Sequence, residues 1–135
     1  MSPIQIRDLT AEGEIHPTPF LGPVNHTVGL KIDVSVLTAD MVDQHGYLKA
    51  GVLIQQSGVP VNGAAQIAYG AIAEHTKVHT DNTTLAGVTD DVEVAVALYV
   101  LMNRDILEDS LGRALTADEL AAVDAAGSHV AITPT

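Results

Sequence analysis

At 135 residues the chain has room for one hydrophobic core and not two, and folding can bury roughly two-thirds of its extended surface. The absence of cysteine excludes a disulfide framework, a thiolate metal site and a cysteine nucleophile together, and leaves the redox compartment unreadable. Seventeen acidic residues against six basic ones give a net charge of −11, a field that repels phosphate backbones and anionic lipid surfaces.

The aromatics Phe20, Tyr47, Tyr69 and Tyr99 offer no platform for stacking bases, so nucleic acid is not an expected partner. The start, Met1-Ser2-Pro3-Ile4-Gln5-Ile6-Arg7-Asp8, has no basic region followed by an apolar run, and no secretory signal is expected. The longest apolar run, residues 94–102, is too short to span a bilayer. Synthesis in the cytoplasm as a soluble protein follows, with no membrane partner. The charge reads either as a solvated, self-repelling surface or as that of a chain that docks on something basic.

Residues 1–27 hold Pro3, Pro17, Pro19 and Pro23 and almost no periodic apolar pattern, which reads as an extended arm. Such an arm is either a frayed terminus or a segment that orders on a partner by adding a strand to its sheet. Residues 28–135 read as the single domain. From Leu30 the pattern becomes strict alternation, with Leu30, Ile32, Val34 and Val36 on one face against Lys31, Asp33 and Ser35, and predicts a half-buried strand. Asp43-Gln44-His45-Gly46 supplies a turn before a strand over residues 47–54 that carries Gly51 as a bulge or close approach. Residues 58–63 form another turn cluster, and residues 67–73 a further strand.

The strongest predicted strand covers residues 92–102: Val92, Val94, Val96, Leu98, Val100 and Met102 share one face, while Ala95, Ala97, Tyr99 and Leu101 make the other mostly apolar as well. A strand apolar on both faces is central or covered by another subunit. The period then turns helical, with Ile106, Leu107 and Leu111 set against Asp105, Glu108 and Asp109, and Gly112 ends that segment. Thr116-Ala117-Asp118-Glu119 is a capping box that starts a second helix, with Leu120 and Val123 as its apolar face and Gly127 past its end. Residues 129–132 return as a final strand. The fold class expected is β-rich α+β: a small single domain of mostly antiparallel strands with two short C-terminal helices and an extended N-terminal arm, without internal repeats.

One run, Glu74-His75-Thr76-Lys77-Val78-His79-Thr80-Asp81, has metal-site character, since in a strand His75, His79 and Asp81 share a face. Lys77 would share that face and oppose a cation, and polar residues at an exposed strand end explain the run as well. His16, His26, His45 and His129 are scattered singly among turns and termini and read as surface residues. No serine stands in a nucleophile-elbow context and no glycine pattern matches a phosphate loop. Carboxylate pairs such as Asp90-Asp91 arise by chance among seventeen acids.

Four segments together carry a resemblance. Tyr47-Leu48-Lys49-Ala50-Gly51-Val52-Leu53, then Tyr69-Gly70-Ala71-Ile72-Ala73-Glu74, then the step from Val94-Ala95-Val96-Ala97 through Val100-Leu101-Met102-Asn103-Arg104-Asp105-Ile106-Leu107, then Leu115-Thr116-Ala117-Asp118-Glu119-Leu120 with Ala125-Ala126-Gly127, resemble the head decoration proteins of tailed bacteriophages over about two-thirds of the chain. The sequence departs from the family's Gly-x-Val-Asn step, having Val100-Leu101-Met102-Asn103 in its place.

The resemblance implies a structural, non-enzymatic virion protein, made in the host cytoplasm. It implies a homotrimer on the outer surface of the capsid that clamps neighbouring major capsid subunits against the pressure of packaged DNA. No cofactor, metal or small-molecule substrate is implied. Candidate capsid contacts on the arm are Ile4, Ile6, Leu9, Ile15, Phe20 and Leu21, and candidate oligomer or core residues are Val94, Val96, Leu98, Tyr99, Val100 and Leu101. The alternatives are a small oligomeric β-rich metal-dependent enzyme, using His75, His79 and Asp81, and a fibre-base or attachment component of the virion.

Overall fold

The computed structural model describes residues 18–134. The expected arm residues Ile4, Ile6, Leu9 and Ile15 lie outside this range. Among the described residues, eight strands and two α-helices build one strand-rich domain, in the order β1 (His26–Asp33), β2 (Tyr47–Leu48), β3 (Leu53–Ile54), β4 (Gly70–Ile72), β5 (Thr76–Lys77), β6 (Asp91–Leu98), β7 (Val100–Met102), α1 (Arg104–Leu111), α2 (Ala117–Ala125) and β8 (Val130–Ile132).

The main sheet is antiparallel with strand order β1-β6-β4-β3. Its centre is β6, whose valines bury one face as alternation dictates. It pairs with β1 along its whole length, from His26 opposite Leu98 to Asp33 opposite Asp91. On its other side β4 lies close enough that a Cβ at Gly70 would fall 2.5 Å from Val96 Cγ1 and 2.6 Å from the Ala97 carbonyl. Only glycine lets the two backbones meet there.

Strand β1 starts earlier than the alternation suggests and also stops earlier. The Asp33 carboxylate accepts from the Ser35 amide at 3.0 Å and its hydroxyl at 2.6 Å. That cap turns Val34–Val36 into a 3-10 helix, with Val34 still buried and Val36 turned out. The single strand expected over residues 47–54 divides at Gly51 into β2, which pairs with β5, and β3, which joins the main sheet. Gly51 has φ +94, and an added Cβ would stand 2.6 Å from Pro19 Cγ, so the kink is also where the N-terminal segment packs.

The continuous strand expected over residues 92–102 is interrupted at Tyr99, whose φ is +58. This left-handed residue sends the chain out of the main sheet, and β7 pairs instead with β8 in parallel. Phe20 bridges Met102 from the opposite side, antiparallel. Asn103 then caps α1 by accepting from the Ile106 amide, and Gly112, with φ +75, ends it. The capping box of Thr116 and Glu119 is formed at the start of α2. Its buried positions are Glu119 and Ala122, however, and Leu120 and Val123 are only partly buried against the core. That core gathers Ile32, Leu48, Ile54, Ile72, Val96, Met102 and Leu107, each large side chain contributing about 1.5–3 kcal/mol on burial.

Candidate functional site

The histidine and aspartate run does not converge. Strand β5 ends at Lys77, so the two-residue period that would align His75, His79 and Asp81 is lost. His79 Nε2 lies 2.8 Å from the Thr84 hydroxyl. The Asp81 carboxylate accepts from the Thr83 and Thr84 amides at 2.9 and 3.1 Å and from both hydroxyls. The Thr83 amide, foremost among these, holds its pKa below the usual carboxylate value, and the residue serves as a turn cap. Among the described residues no group of three His, Cys, Asp or Glu is placed to hold a metal ion.

The best-organised ionic cluster is also internal. Glu119 is buried, with 5% of its surface exposed, and Arg113 meets it with two guanidinium nitrogens at 2.7 and 3.2 Å. The Thr116 amide adds a bond at 2.9 Å. Arg113 also donates to Asp40, whose carboxyl burial pushes up while the hydrogen bonds from Arg113 and Thr38 pull it down, leaving it below its ordinary value. Glu108 accepts from the Leu115 amide at 2.8 Å and pairs with Arg104 at 3.1 Å, and both hold its pKa low. Asp40 and Glu108, held ionised in this way, are poor proton carriers, and with Glu119 they brace the loops around α1 and α2.

A different kind of site appears when the charges are placed on the fold. Residues 18–30, 50–73, 94–103 and 125–134 contain no Asp, Glu, Lys or Arg. The sheets bring them together: the first half of β1 against the second half of β6, β3 and β4 beside it, and β7 between Phe20 and β8. At the opposite end of the same strands, Asp33 faces Asp91 and Lys31 faces Glu93. The main sheet therefore runs from a carboxylate-rich end to a charge-free end.

Aromatic rings line the charge-free end. His26 meets Tyr99 edge-on at 5.4 Å, Tyr99 tilts on His129 at 5.3 Å, and His129 on Tyr69 at 5.5 Å. Beyond them Tyr69, His129 and Ile67 border a shallow cavity of about 500 Å³ whose other walls are glutamine, serine and alanine side chains. Of the five exposed large apolar side chains among the described residues, Leu21, Ile67, Tyr99 and Leu101 lie on this end, and only Val36 lies elsewhere. Leu21 is fixed beside Leu101 by its amide, which donates to the Leu101 carbonyl at 2.9 Å.

Of the residues expected in the oligomer contact or the core, Val94, Val96, Leu98 and Val100 are buried within this one domain, while Tyr99 and Leu101 are 56% and 43% exposed. Phe20 is partly buried against the core and Leu21 is exposed. From Pro19 onward the chain is docked, with the Asn103 amide donating to the Pro19 carbonyl at 2.7 Å. His26, Ile67, Tyr69 and His129 belong to this surface; sequence reasoning read His26 and His129 as scattered surface residues and did not bring the four together. The four charge-free stretches were the available signal. No family model, curated protein or solved structure matches this chain.

Proposed function

We propose that this chain is a head decoration protein of a tailed bacteriophage, binding the outer surface of the capsid as a trimer and stabilising the shell against internal DNA pressure. The observation that carries this reading is the separation of charge. An apolar, charge-free end, where the segment leading from residue 18 enters the fold, stands opposite a carboxylate-rich remainder. That is the build of a protein that buries one end within its assembly and keeps the rest in water, and the ionic clusters are committed to loop bracing. The resemblance in four segments supplies the partner, the major capsid protein. The acidity disfavours DNA as one.

A ligand that binds the assembled lattice and not its separated subunits stabilises the lattice by mass action, and a trimer engaging three sites adds avidity. The test is the temperature of DNA release from particles carrying or lacking this protein. A higher release temperature with the protein bound is expected. Equal temperatures at full occupancy would remove the stabilising role and favour an attachment or fibre-base component. Deleting residues 1–17 should weaken particle binding while leaving the thermal unfolding of the free chain nearly unchanged.

A further inference from the structure

We infer that the charge-free end is the surface through which copies of this chain meet. This deepens the decoration reading by naming the face that joins subunits, and it is tested on the free protein, so either can fail without the other. Each copy carries a net charge of −11. Two copies that bring carboxylate-bearing faces against each other set like charges side by side, which costs association wherever those charges lose water. Among the described residues, the stretches 18–30, 50–73, 94–103 and 125–134 form a surface on which two such chains can approach without that penalty.

What that end presents suits a permanent contact. Leu21, Leu101, Tyr99 and Ile67 are exposed in one band, continuous through the Leu21–Leu101 backbone bond and the Tyr99–His129–Tyr69 rings. Tyr99 holds a left-handed backbone, φ +58, and stays 56% exposed although its ring touches those of His26 and His129. An aromatic residue in that conformation is strained, and strain kept at an exposed position points to a use for the side chain placed there. Interfaces are likewise centred on aromatic anchors within a charge-poor patch.

The charge arrangement fixes an unusual salt response. Long-range repulsion between the acidic bodies opposes the contact, whereas the described residues of the charge-free end bring no Asp, Glu, Lys or Arg to it. Raising salt from about 0.01 M to about 1 M shortens the screening length from about 30 Å to about 3 Å, so association of this protein should strengthen with salt.

Sedimentation velocity of the full chain across that range, at the highest attainable concentration, reads this directly. Leu101→Glu and Ile67→Glu each place a carboxylate on the band and should weaken self-association at high salt tenfold or more. Val36→Glu, on the 3-10 helix outside the band, should leave it unchanged. A monomer at every salt concentration, association that weakens with salt, or equal effects of the three substitutions would overturn the inference. So would a loss of particle binding by Leu101→Glu with self-association intact, since the band would then face the shell.

Discussion

Replacing Arg113 with methionine probes the polar cluster that fixes α2 to the rest of the domain. The substitution keeps most of the side chain's length and removes two contacts to Glu119, at 2.7 and 3.2 Å, and the contact to Asp40. Glu119 is left in place with a side chain 7% exposed and only its backbone and cap partners. Breaking a fully buried ion pair by removing one partner costs about 3–5 kcal/mol. The Arg113 side chain is 29% exposed, so water moderates that penalty. A loss of about 2–4 kcal/mol follows, since charge-assisted hydrogen bonds are worth about 1.5–3 kcal/mol each and water replaces some of them. For a chain of this length it lowers Tm by roughly 10 °C.

Urea unfolding followed by circular dichroism measures the change. The control is Glu119→Gln combined with Arg113→Met, which removes both charges while glutamine keeps the capping box. That double variant should be more stable than Arg113→Met alone. A loss below about 1 kcal/mol for Arg113→Met, the range of an exposed pair, or a double variant less stable than the single one, would refute the assignment of Glu119 as a buried carboxylate dependent on Arg113.

Asp40 has a folded pKa below its ordinary 3.8, so the stability it lends is complete above that value and is lost as pH falls through the lower folded value. Asp40→Asn and the natural chain should therefore converge in stability as acid unfolding is followed below pH 3.8. Gly51→Ala would set a Cβ 2.6 Å from Pro19 Cγ and 2.9 Å from Leu107 Cδ1 at a φ of +94. It should cost at least about 2 kcal/mol and expose the Phe20–Leu21 bond to limited proteolysis, and an uncleaved variant would show that residues 19–21 do not depend on that packing. Tyr99→Gly relieves left-handed strain but frees the unfolded chain, so stability should stay within about 1 kcal/mol. Self-association measured by light scattering should nevertheless be lost.

Much of this fold is written in local patterns. The alternating valines of β6, the capping box of α2 and the glycines at 112 and 127 each state their structure within a few residues, and the domain uses them as expected. What local pattern cannot show is a break made by an ordinary residue. Tyr99 continues the apolar run in sequence, yet it leaves the sheet through a conformation that its residue type does not announce. The same holds for Asp33, where a short hydrogen bond to Ser35 ends β1 against an alternation that runs on through Val36. At the candidate site, Tyr99 and Leu101 were legible as apolar residues at the end of a strong strand. The ring ladder was not, because His26, Tyr69 and His129 come from three distant segments that only the sheet topology brings together.

The parallel pairing of β7 with β8, flanked by Phe20, has a consequence for the order in which the chain folds. Strands β1, β3, β4 and β6 all lie before residue 99, so the main sheet can close without the C-terminal segment. The small sheet cannot, because β8 lies beyond both helices. A folding chain can therefore close its principal sheet while Val100 and Met102 still lack their parallel partner. Contacts that span so much of the sequence close late, and strand edges left open in that interval are the sites from which folding chains misassociate. The hazard ends only when Val130–Ile132 slides in beside Val100–Met102.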